Sequence, residues 1–206
     1  MKLDEQRRDV AREICRKYGA TLSVEGLHTF ADILQPMKVL RGHKLVGEGD
    51  VSTSIFYVKR GMVLQYYKKN NQIVTEHISI EGDMVICVES LFKGEPSKIV
   101  ASMIEPGVVY GIPRDALNVI ASRSFELCKL IFAFYRRSLI VSQRKADILR
   151  FETAKERYIR IMKENPEIVR RAPLHNVASF LQMAPETLSR VRAQVTEKDW
   201  KREDNG

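Results

Sequence analysis

The chain has 206 residues, of which 44% are hydrophobic and 29% are charged, and it carries a formal net charge of +8. This length suits one or two domains, with enough apolar residues to give each domain a core. No apolar run approaches the roughly 20 residues of a membrane span, and the charged start of the chain lacks the apolar centre of a signal peptide. We therefore expect a soluble, cytoplasmic protein that does not contact a membrane.

The cysteines and histidines predict neither a metal site nor a catalytic centre. They lie far apart in the sequence: Cys15, Cys87, Cys128, His28, His43, His77 and His175. Their spacing matches no metal-binding pattern, and the sequence contains no nucleophile elbow and no glycine-rich phosphate loop. We therefore expect no enzyme activity, no catalytic residue and no bound metal.

Short helices are predicted at the start of the chain, over residues 4–18 and 24–34, and a β-rich region follows from Pro36. Its apolar and β-branched runs are MKVLR, HKLVG, SIFYVK, MVLQYYK, QIVTEHIS, KIVASMI and VVYGI. Turn signals such as Gly61 and Asn70 separate these runs. Short strands with this regular punctuation predict an antiparallel sandwich or a small barrel.

A long helical stretch is predicted next, from Ser122 to about Glu164, because it contains neither glycine nor proline. One apolar stripe has the alternating spacing of three and four residues that is typical of a coiled-coil seam. This seam consists of Phe132, Tyr135, Leu139, Ser142, Ala146 and Leu149. A second stripe can pack on the β-rich region, and it consists of Leu127, Ile131, Phe134 and Val141. Two explanations of the seam stay open, burial in the core of the same chain and pairing with a second copy.

The stretch at residues 174–192, LHNVASFLQMAPETLSRVR, predicts two short helices joined by a sharp turn. Pro185 is expected at the first position of the second helix, where its missing N–H costs nothing. Leu188 and Val191 then lie on one side of that helix. They would form an apolar wedge with three residues of the preceding helix and so set the angle between the two helices. Those three residues are Val177, Phe180 and Leu181.

The opposite side of the second helix is polar, with Glu186, Ser189 and Arg190 directed outward. Arg190 can donate two hydrogen bonds to guanine in the major groove, and Glu186 can accept one from cytosine. Thr187 and the free N–H groups of the helix start suit a backbone phosphate. Residues 136–192 contain 13 Lys and Arg against 6 Asp and Glu, which is the positive excess that phosphate attraction needs. An ordinary helical hairpin with a Glu186–Arg190 surface pair is the alternative.

The run A-x-x-L-Q-M-A-P-E-T-L-S-R at residues 178–190 closely resembles the helix-turn-helix of the Crp/Fnr family of bacterial transcription regulators. The resemblance implies DNA contacts by Pro185, Glu186, Thr187, Ser189, Arg190 and Arg192. Of these, Glu186 and Arg190 would read bases, Pro185 would set the helix start, and the others would touch phosphates or flanking bases. Gln182 departs from the family, which usually has a left-handed glycine at this turn.

The same resemblance implies an α+β fold in three parts. Residues 1–121 would form an antiparallel jelly-roll domain like those that bind cyclic nucleotides, residues 122–150 a long dimerisation helix with its hinge, and residues 151–206 an all-α helix-turn-helix domain. The seam would then join two copies of the chain. Their recognition helices would enter successive major grooves of double-stranded DNA about one helical turn (~34 Å) apart, and RNA polymerase would be a further partner. The family's β-wing is expected to be missing, because only TEKDWKREDNG follows Val195.

Whether the roll binds a cyclic nucleotide depends on the cassette region, residues 85–104, VICVESLFKGEPSKIVASMI. Nucleotide-binding members carry a Gly-Glu pair here, whose glutamate bonds the ribose, followed by an arginine that meets the cyclic phosphate. This chain keeps the glutamate as Glu89, but it has valine in place of the glycine and Pro-Ser in place of the arginine and its hydroxyl neighbour. Lys98 is the nearest cation, and its point charge cannot copy a bidentate guanidinium. We therefore expect no standard cyclic nucleotide.

Two options stay open for a small effector in the roll. Glu89 and Lys98 are ordinary surface charges, or together with Ser97 they line a remodelled pocket for a different ligand. The resemblance also implies that a hydroxyl residue on the long helix meets an effector, which points to Ser142 and its neighbour Gln143. A polar residue that sets the register of the seam is the alternative explanation of Ser142.

The sequence thus predicts a homodimeric, sequence-specific DNA-binding transcription regulator, with or without a small effector in the roll. The alternative is a small-molecule sensor or scaffold whose weakened DNA-binding domain acts through protein contacts. Steep salt dependence of DNA binding separates the two.

Overall fold

The computed structural model describes residues 2–70 and 72–195, which divide into two compact units. The roll unit comprises residues 2–65 and 79–140, and the helical unit comprises residues 66–70, 72–78 and 141–195. A β-hairpin from the middle of the chain therefore belongs to the helical unit. The predicted absence of a β-wing after Val195 falls outside the described residues.

The helices and strands follow one another in three groups along the chain. Two helices come first, α1 (Lys2–Tyr18) and α2 (Val24–Asp32). The β-rich region follows with β1 (Gln35–Val39), β2 (Lys44–Val46), β3 (Ser54–Arg60), β4 (Val63–Lys69), β5 (Gln72–Ser79), β6 (Met84–Val85), α3 (Val88–Lys93), β7 (Val100–Met103) and β8 (Gly107–Pro113). Most of β4 and β5 belongs to the helical unit and the rest of this region to the roll unit. The remaining helices are α4 (Arg114–Arg123), α5 (Phe125–Phe151), α6 (Ala154–Glu164), α7 (Pro166–Arg171), α8 (Leu174–Phe180) and α9 (Pro185–Gln194).

The strands of the roll form two four-stranded sheets, with the orders β1-β8-β3-β6 and β2-β7-β4-β5. Strand β3 pairs antiparallel with both of its neighbours, so that Tyr57 lies opposite Tyr110 on one side and Met84 on the other. Buried side chains, among them Val58 and Val109, form the core of the roll. The predicted α+β fold with an antiparallel N-terminal roll is confirmed. Gly61 and Asn70 adopt positive φ angles of 102° and 49°, as their predicted turn positions require.

A second core joins α1 and α2 to the first half of α5. The ring of Tyr18 meets that of Phe134 edge to face, with 5.0 Å between the centroids. The backbone N–H and the Oγ of Ser23, the N-cap of α2, donate to the carboxylate of Glu126 at 2.8 and 2.6 Å. The prediction that the second stripe packs inward is confirmed for Leu127, Ile131 and Phe134, which are buried. It is wrong for Val141, which is 43% exposed because it lies beyond the part of α5 that contacts this core.

The helical stretch predicted from Ser122 to about Glu164 is interrupted twice. Ser124 is extended (φ −144°, ψ 121°) and separates α4 from α5. Thr153 starts α6 with a capping box, in which its Oγ1 accepts from the N–H of Glu156 while its own N–H donates to the Glu156 carboxylate. These reciprocal bonds stabilise a new helix start and outweigh the continuing apolar pattern. Among residues 2–70 and 72–195, no helix is both long and apolar enough to cross a membrane.

Candidate nucleic-acid interface

Helices α8 and α9 form a helix-turn-helix around the turn at residues 181–184. Gln182 adopts the predicted left-handed conformation, with φ at +50°. The turn is held by the N–H groups of Gln182 and Met183, which donate to the carbonyls of Ser179 and Ala178 at 3.0 Å. A non-glycine residue in this conformation carries modest strain, so these bonds offset part of its cost.

The apolar wedge between the two helices forms largely as predicted. Leu188 and Val191 of α9 are buried together with Val177 and Leu181. Phe180 is only half-buried, whereas Ala178 of the same helix is fully buried.

The outer side of α9 presents its polar side chains to solvent. Glu186, Ser189, Arg190 and Arg192 are exposed, while Thr187 is half-buried. The Nη2 of Arg190 donates to the Oγ1 of Thr187 at 3.4 Å, and in the described part of the chain no ion pair joins Glu186 to Arg190. The surface pair of the alternative is thus not formed, while an ordinary helical hairpin remains the alternative to a DNA-reading helix. Glu186 and Arg190 therefore lie exposed one helical turn apart, where side chains of a helix in the major groove can reach base edges.

The start of α9 adds backbone donors to this face. Pro185 occupies the first turn as predicted, and the N-cap residue Ala184 has no side-chain oxygen to accept from the first N–H groups. Uncapped N–H groups and the positive end of the helix dipole both attract an anion such as a phosphate. The six residues predicted to bind DNA thus lie together on one helix of ten residues.

A network of ion pairs and hydrogen bonds connects the start of α6 with the turn of the helix-turn-helix. The guanidinium of Arg160 bonds both carboxylate oxygens of Glu152, which raises the pKa of Arg160. Glu164 accepts from Arg160 and from Arg144 of α5. Arg157 donates to the carbonyl of Glu152 at 2.8 Å and to that of Gln182 at 3.4 Å. The residues between α5 and α6 are therefore coupled to the strained turn.

The hairpin of β4 and β5 is bonded to α8 and α5 within the helical unit. The Oγ of Ser179 accepts the N–H of Thr75 at 2.8 Å and donates to the carbonyl of Ile73 at 3.3 Å. The Nζ of Lys145 donates to the carbonyl and the carboxylate of Glu76 at 2.6 and 2.7 Å. Because β5 is at the edge of its sheet, Ser179 satisfies backbone groups that a neighbouring strand would otherwise use.

His77 lies on the same strand and stays neutral near physiological pH. Burial, together with the adjacent positive charge of Lys145, lowers its pKa from 6.5 to about 4. Sequence reasoning did not identify the roles of Ser179, Lys145 and Arg157. The partners of Ser179 and Lys145 lie 104 and 69 residues away along the chain. The run T-A-K-E at residues 153–156 has the spacing of a capping box, so the start of α6 next to Arg157 could have been predicted from the sequence.

The predicted seam faces outward from the single chain. Phe132 and Leu139 are 65% and 71% exposed, and Ser142 is also exposed. The other seam positions, Tyr135, Ala146 and Leu149, are half-buried. Large apolar side chains in regular spacing on one exposed helix face are typical of a surface that a partner covers.

The residues predicted to bind an effector are exposed or bonded within the chain. Ser97 is buried, and its Oγ donates to the carbonyl of Ile99 at 2.7 Å and accepts the N–H of Ile99 at 3.1 Å. Glu89 and Lys98 are exposed, and the bond from Lys93 to Glu89 at 2.7 Å lowers the pKa of that carboxyl. On α5, Ser142 and Gln143 are exposed, and Gln143 donates to Asp147 at 3.3 Å.

Polar groups in the interior of the roll beside Ser97 are bonded within the chain. Gln65 is buried and donates to the carbonyl of Ile86 at 3.1 Å, and burial raises the pKa of the Cys87 thiol. A cavity of about 340 Å³ in the roll unit is lined by Phe56 and by residues 45, 46 and 50–53. None of the predicted effector residues lines this cavity. No group of three or more potential metal ligands occurs in the described part of the chain.

The roll, the long helix and the helix-turn-helix together define a fold shared with known transcription regulators. The structure is similar to FixK2 from Bradyrhizobium japonicum (19% identity, 79% of this chain and 84% of that one, TM-score 0.66). It is also similar to CLP, a c-di-GMP-responsive global regulator from Xanthomonas campestris (15% identity, 84% of this chain and 91% of that one, TM-score 0.63). A third neighbour is a proposed Crp/Fnr-family transcriptional regulator from Eubacterium rectale (15% identity, 84% of this chain and 83% of that one, TM-score 0.62).

The similarity lies in the structure, at sequence identities that establish the fold alone. No protein-family model matches the sequence, and no curated protein matches it either. The chain thus has the fold of the Crp/Fnr regulators.

Proposed function

We propose that the chain is a homodimeric, sequence-specific DNA-binding transcription regulator of the Crp/Fnr type. The observation that carries this proposal is the outer face of α9, where Glu186 and Arg190 are exposed one turn apart above a buried apolar wedge. Arg190 would donate to guanine and Glu186 would accept from cytosine. Thr187, Ser189, Arg192 and the helix start at Pro185 would position the helix on phosphates. The shared fold supports the proposal.

The proposal includes the arrangement of the whole chain. Residues 1–121 serve as the effector roll, residues 122–150 as the dimerisation helix and hinge, and residues 151–206 as the DNA-binding domain. Two copies pair through the seam on α5, so that each copy contributes one recognition helix to a two-fold-related site. The protein acts in the cytoplasm with RNA polymerase as a partner and has no enzyme activity, as the regulatory neighbours suggest.

The roll is proposed not to bind a standard cyclic nucleotide. Glu89 already accepts a bond from Lys93, and Lys98 offers one ammonium where a bidentate guanidinium would be needed. The c-di-GMP-responsive neighbour supports a broader range of effectors for this fold. If a different effector binds, Ser97, Ser142 and Gln143 are the remaining candidates to contact it.

The DNA-binding proposal is tested by selecting binding sites from random DNA and measuring affinity for a selected and a scrambled duplex over a range of salt concentrations. We expect a clear preference for the selected duplex, a linear and steep fall of log K with log salt, and two chains per duplex. Equal affinity for both duplexes and a shallow slope would favour a sensor or scaffold that acts through protein contacts.

The dimer is tested with the native cysteines. Cys128 is exposed and precedes Phe132 by four residues, so it continues the spacing of the seam, whereas Cys15 and Cys87 are buried. Two helices that pair in parallel along this seam bring the two copies of Cys128 close together. A short bismaleimide should therefore cross-link the dimer, and Cys128→Ser should abolish the cross-link without changing the sedimentation of the protein. A dimer that does not cross-link would contradict this pairing.

A further inference from the structure

Helix α3 presents two apolar side chains to solvent in the cassette region of the roll. Val88 and Phe92 are 48% and 54% exposed and lie one turn apart, whereas Ser90 and Leu91 are buried. Residues four apart in a helix share a face, so Val88 and Phe92 form a single apolar strip. The side chains of this strip cannot form hydrogen bonds or ion pairs with a polar ligand such as a phosphate.

The apolar strip of α3 is continuous with the seam on α5. The ring of Phe92 lies 5.0 Å from that of Tyr135, with an angle of 62° between the planes. Tyr135 is a seam position, and the exposed seam residues Phe132 and Leu139 lie one turn before and one turn after it. The strip and the part of the seam from Phe132 to Leu139 therefore form one apolar surface of the roll unit.

The seam alone offers little apolar area for a stable dimer. Its large exposed side chains are Phe132 and Leu139, because Ser142 and Ala146 are small. An aromatic side chain that becomes fully buried contributes roughly 150–250 Å², whereas a standard interface takes about 800 Å² from each partner. Phe132 and Leu139 are only about two-thirds exposed, so they supply less than half of that area. Val88 and Phe92 are about half exposed and add a smaller share beside them.

We propose that α3 and the seam form one dimer interface, in which the α5 helix of a second copy covers Val88 and Phe92. The inference rests on the proposed homodimer and specifies what its interface contains. A two-fold interface uses the same patch of both copies, so the seam and the strip of one chain would face the seam and the strip of the other. The cassette region thus takes part in pairing, and the dimer forms without a cyclic nucleotide.

The inference is tested by sedimentation equilibrium of the full chain and three variants. Phe92→Asp should raise the dissociation constant of the dimer about tenfold or more, as expected for loss of an aromatic contact inside an interface. Leu139→Asp should weaken the dimer at least as much. Leu40→Asp is the matched control, because Leu40 is 77% exposed between β1 and β2 and outside both surfaces, and it should leave the dimer unchanged.

The variants separate failure of this inference from failure of the proposed dimer. A dimer that is weakened by Leu139→Asp but not by Phe92→Asp overturns the role of α3 and leaves the seam in place. A dimer that is insensitive to Leu139→Asp overturns the seam itself. A protein that dimerises only when cyclic AMP is added contradicts the inference as well.

Hydrogen exchange of the unmodified protein gives a second measurement that needs no substitution. The backbone amides of α3 should exchange more slowly above the dissociation constant than below it, in step with those of α5. Protection that appears in α5 but not in residues 88–93 would show that the partner does not reach α3. Far-ultraviolet circular dichroism of the variants checks that Phe92→Asp remains folded.

Discussion

The outer face of α9 and the cassette region of the roll differ in how far their polar groups are satisfied within the chain. On α9, Glu186, Ser189 and Arg192 form no hydrogen bond or ion pair with another described residue, and Arg190 bonds Thr187 at 3.4 Å. In the cassette region, Glu89 is paired with Lys93, and Ser97 is bonded to both polar backbone groups of Ile99. A ligand can use polar groups fully only where it does not have to displace an internal partner. The difference favours α9 as the surface that recognises a ligand.

The largest expected effect is on sequence discrimination by α9. Arg190→Ala should reduce discrimination at one base pair by about 1–3 kcal/mol per half-site, because a bidentate contact to guanine is lost. Fluorescence anisotropy with the selected duplex and with duplexes changed at one position measures this effect.

Arg192→Ala is the matched control for that change. It should weaken all duplexes alike and make the salt slope shallower by about one unit, because it removes a phosphate contact. If Arg190→Ala also weakened cognate and scrambled DNA equally, the base-reading role of Arg190 would be refuted.

The next effect is a pH dependence of stability that arises from His77 in the hairpin bonded to α8. The pKa of this imidazole is about 4 in the folded protein and 6.5 in the unfolded chain, so only the unfolded state binds a proton between these values. The corresponding stability is present above pH 6.5 and is lost as the pH falls towards 4, by at most about 3 kcal/mol. Denaturant unfolding from pH 7 to 4 should show this loss, and His77→Gln should flatten the profile. An unchanged profile would place the titrating group elsewhere.

A smaller loss of stability is expected from Ser179→Ala in α8. The variant leaves the N–H of buried Thr75 and the carbonyl of Ile73 without the partner that Ser179 provides. The expected cost is about 1–2 kcal/mol in the free energy of unfolding, measured with urea. Ser179→Thr keeps the hydroxyl and should recover most of the loss. If Ser179→Ala were neutral, the hairpin would not be held by this serine.

A small gain of stability is expected at the turn before α9. Gln182→Gly removes the strain of a left-handed non-glycine residue and should stabilise the protein by about 0.5–1 kcal/mol. Gln182→Ala keeps the strain and serves as the control, and thermal unfolding compares the two. A loss of stability in the glycine variant would mean that contacts of the Gln182 side chain outweigh the strain.

The smallest effect is expected in the cassette region. Glu89→Gln and Lys98→Ala should change neither the calorimetric response to cyclic AMP and cyclic GMP nor the affinity for DNA, because neither residue contributes to a nucleotide site in this account. Tight binding of a cyclic nucleotide that both substitutions abolish would reverse the contrast between the two regions.

The helix-turn-helix was predictable because its determinants are local. Pro185 marks the start of α9, the spacing of Leu188 and Val191 gives its buried side, and the motif predicts the left-handed Gln182. The long antiparallel strands were predictable for the same reason, from turn residues and short apolar runs. Strand β6 and helix α3 were not, since two and six residues are too few to show a period.

The contacts of the hairpin with α8 could not be predicted from local patterns. Ser179 looks like an ordinary polar residue of a short helix, and only the folded chain brings it to Thr75, 104 residues away. Val141 fits the inward stripe by spacing, yet it is exposed because the core that covers Leu127 and Phe134 ends before it. The cassette region also needed the structure, which shows that Ser97 is engaged by Ile99.

Guanine methylation protection on a selected duplex tests most directly the claim that the outer face of α9 reads DNA. Dimethyl sulfate modifies N7 of guanine in the major groove, which is an atom that Arg190 is proposed to contact. We expect the unmodified protein to protect two patches of guanines about one helical turn apart. With Arg190→Ala, one guanine per half-site should lose its protection while the other guanines stay protected. An unchanged pattern with Arg190→Ala, or no major-groove protection with the unmodified protein, would contradict the claim.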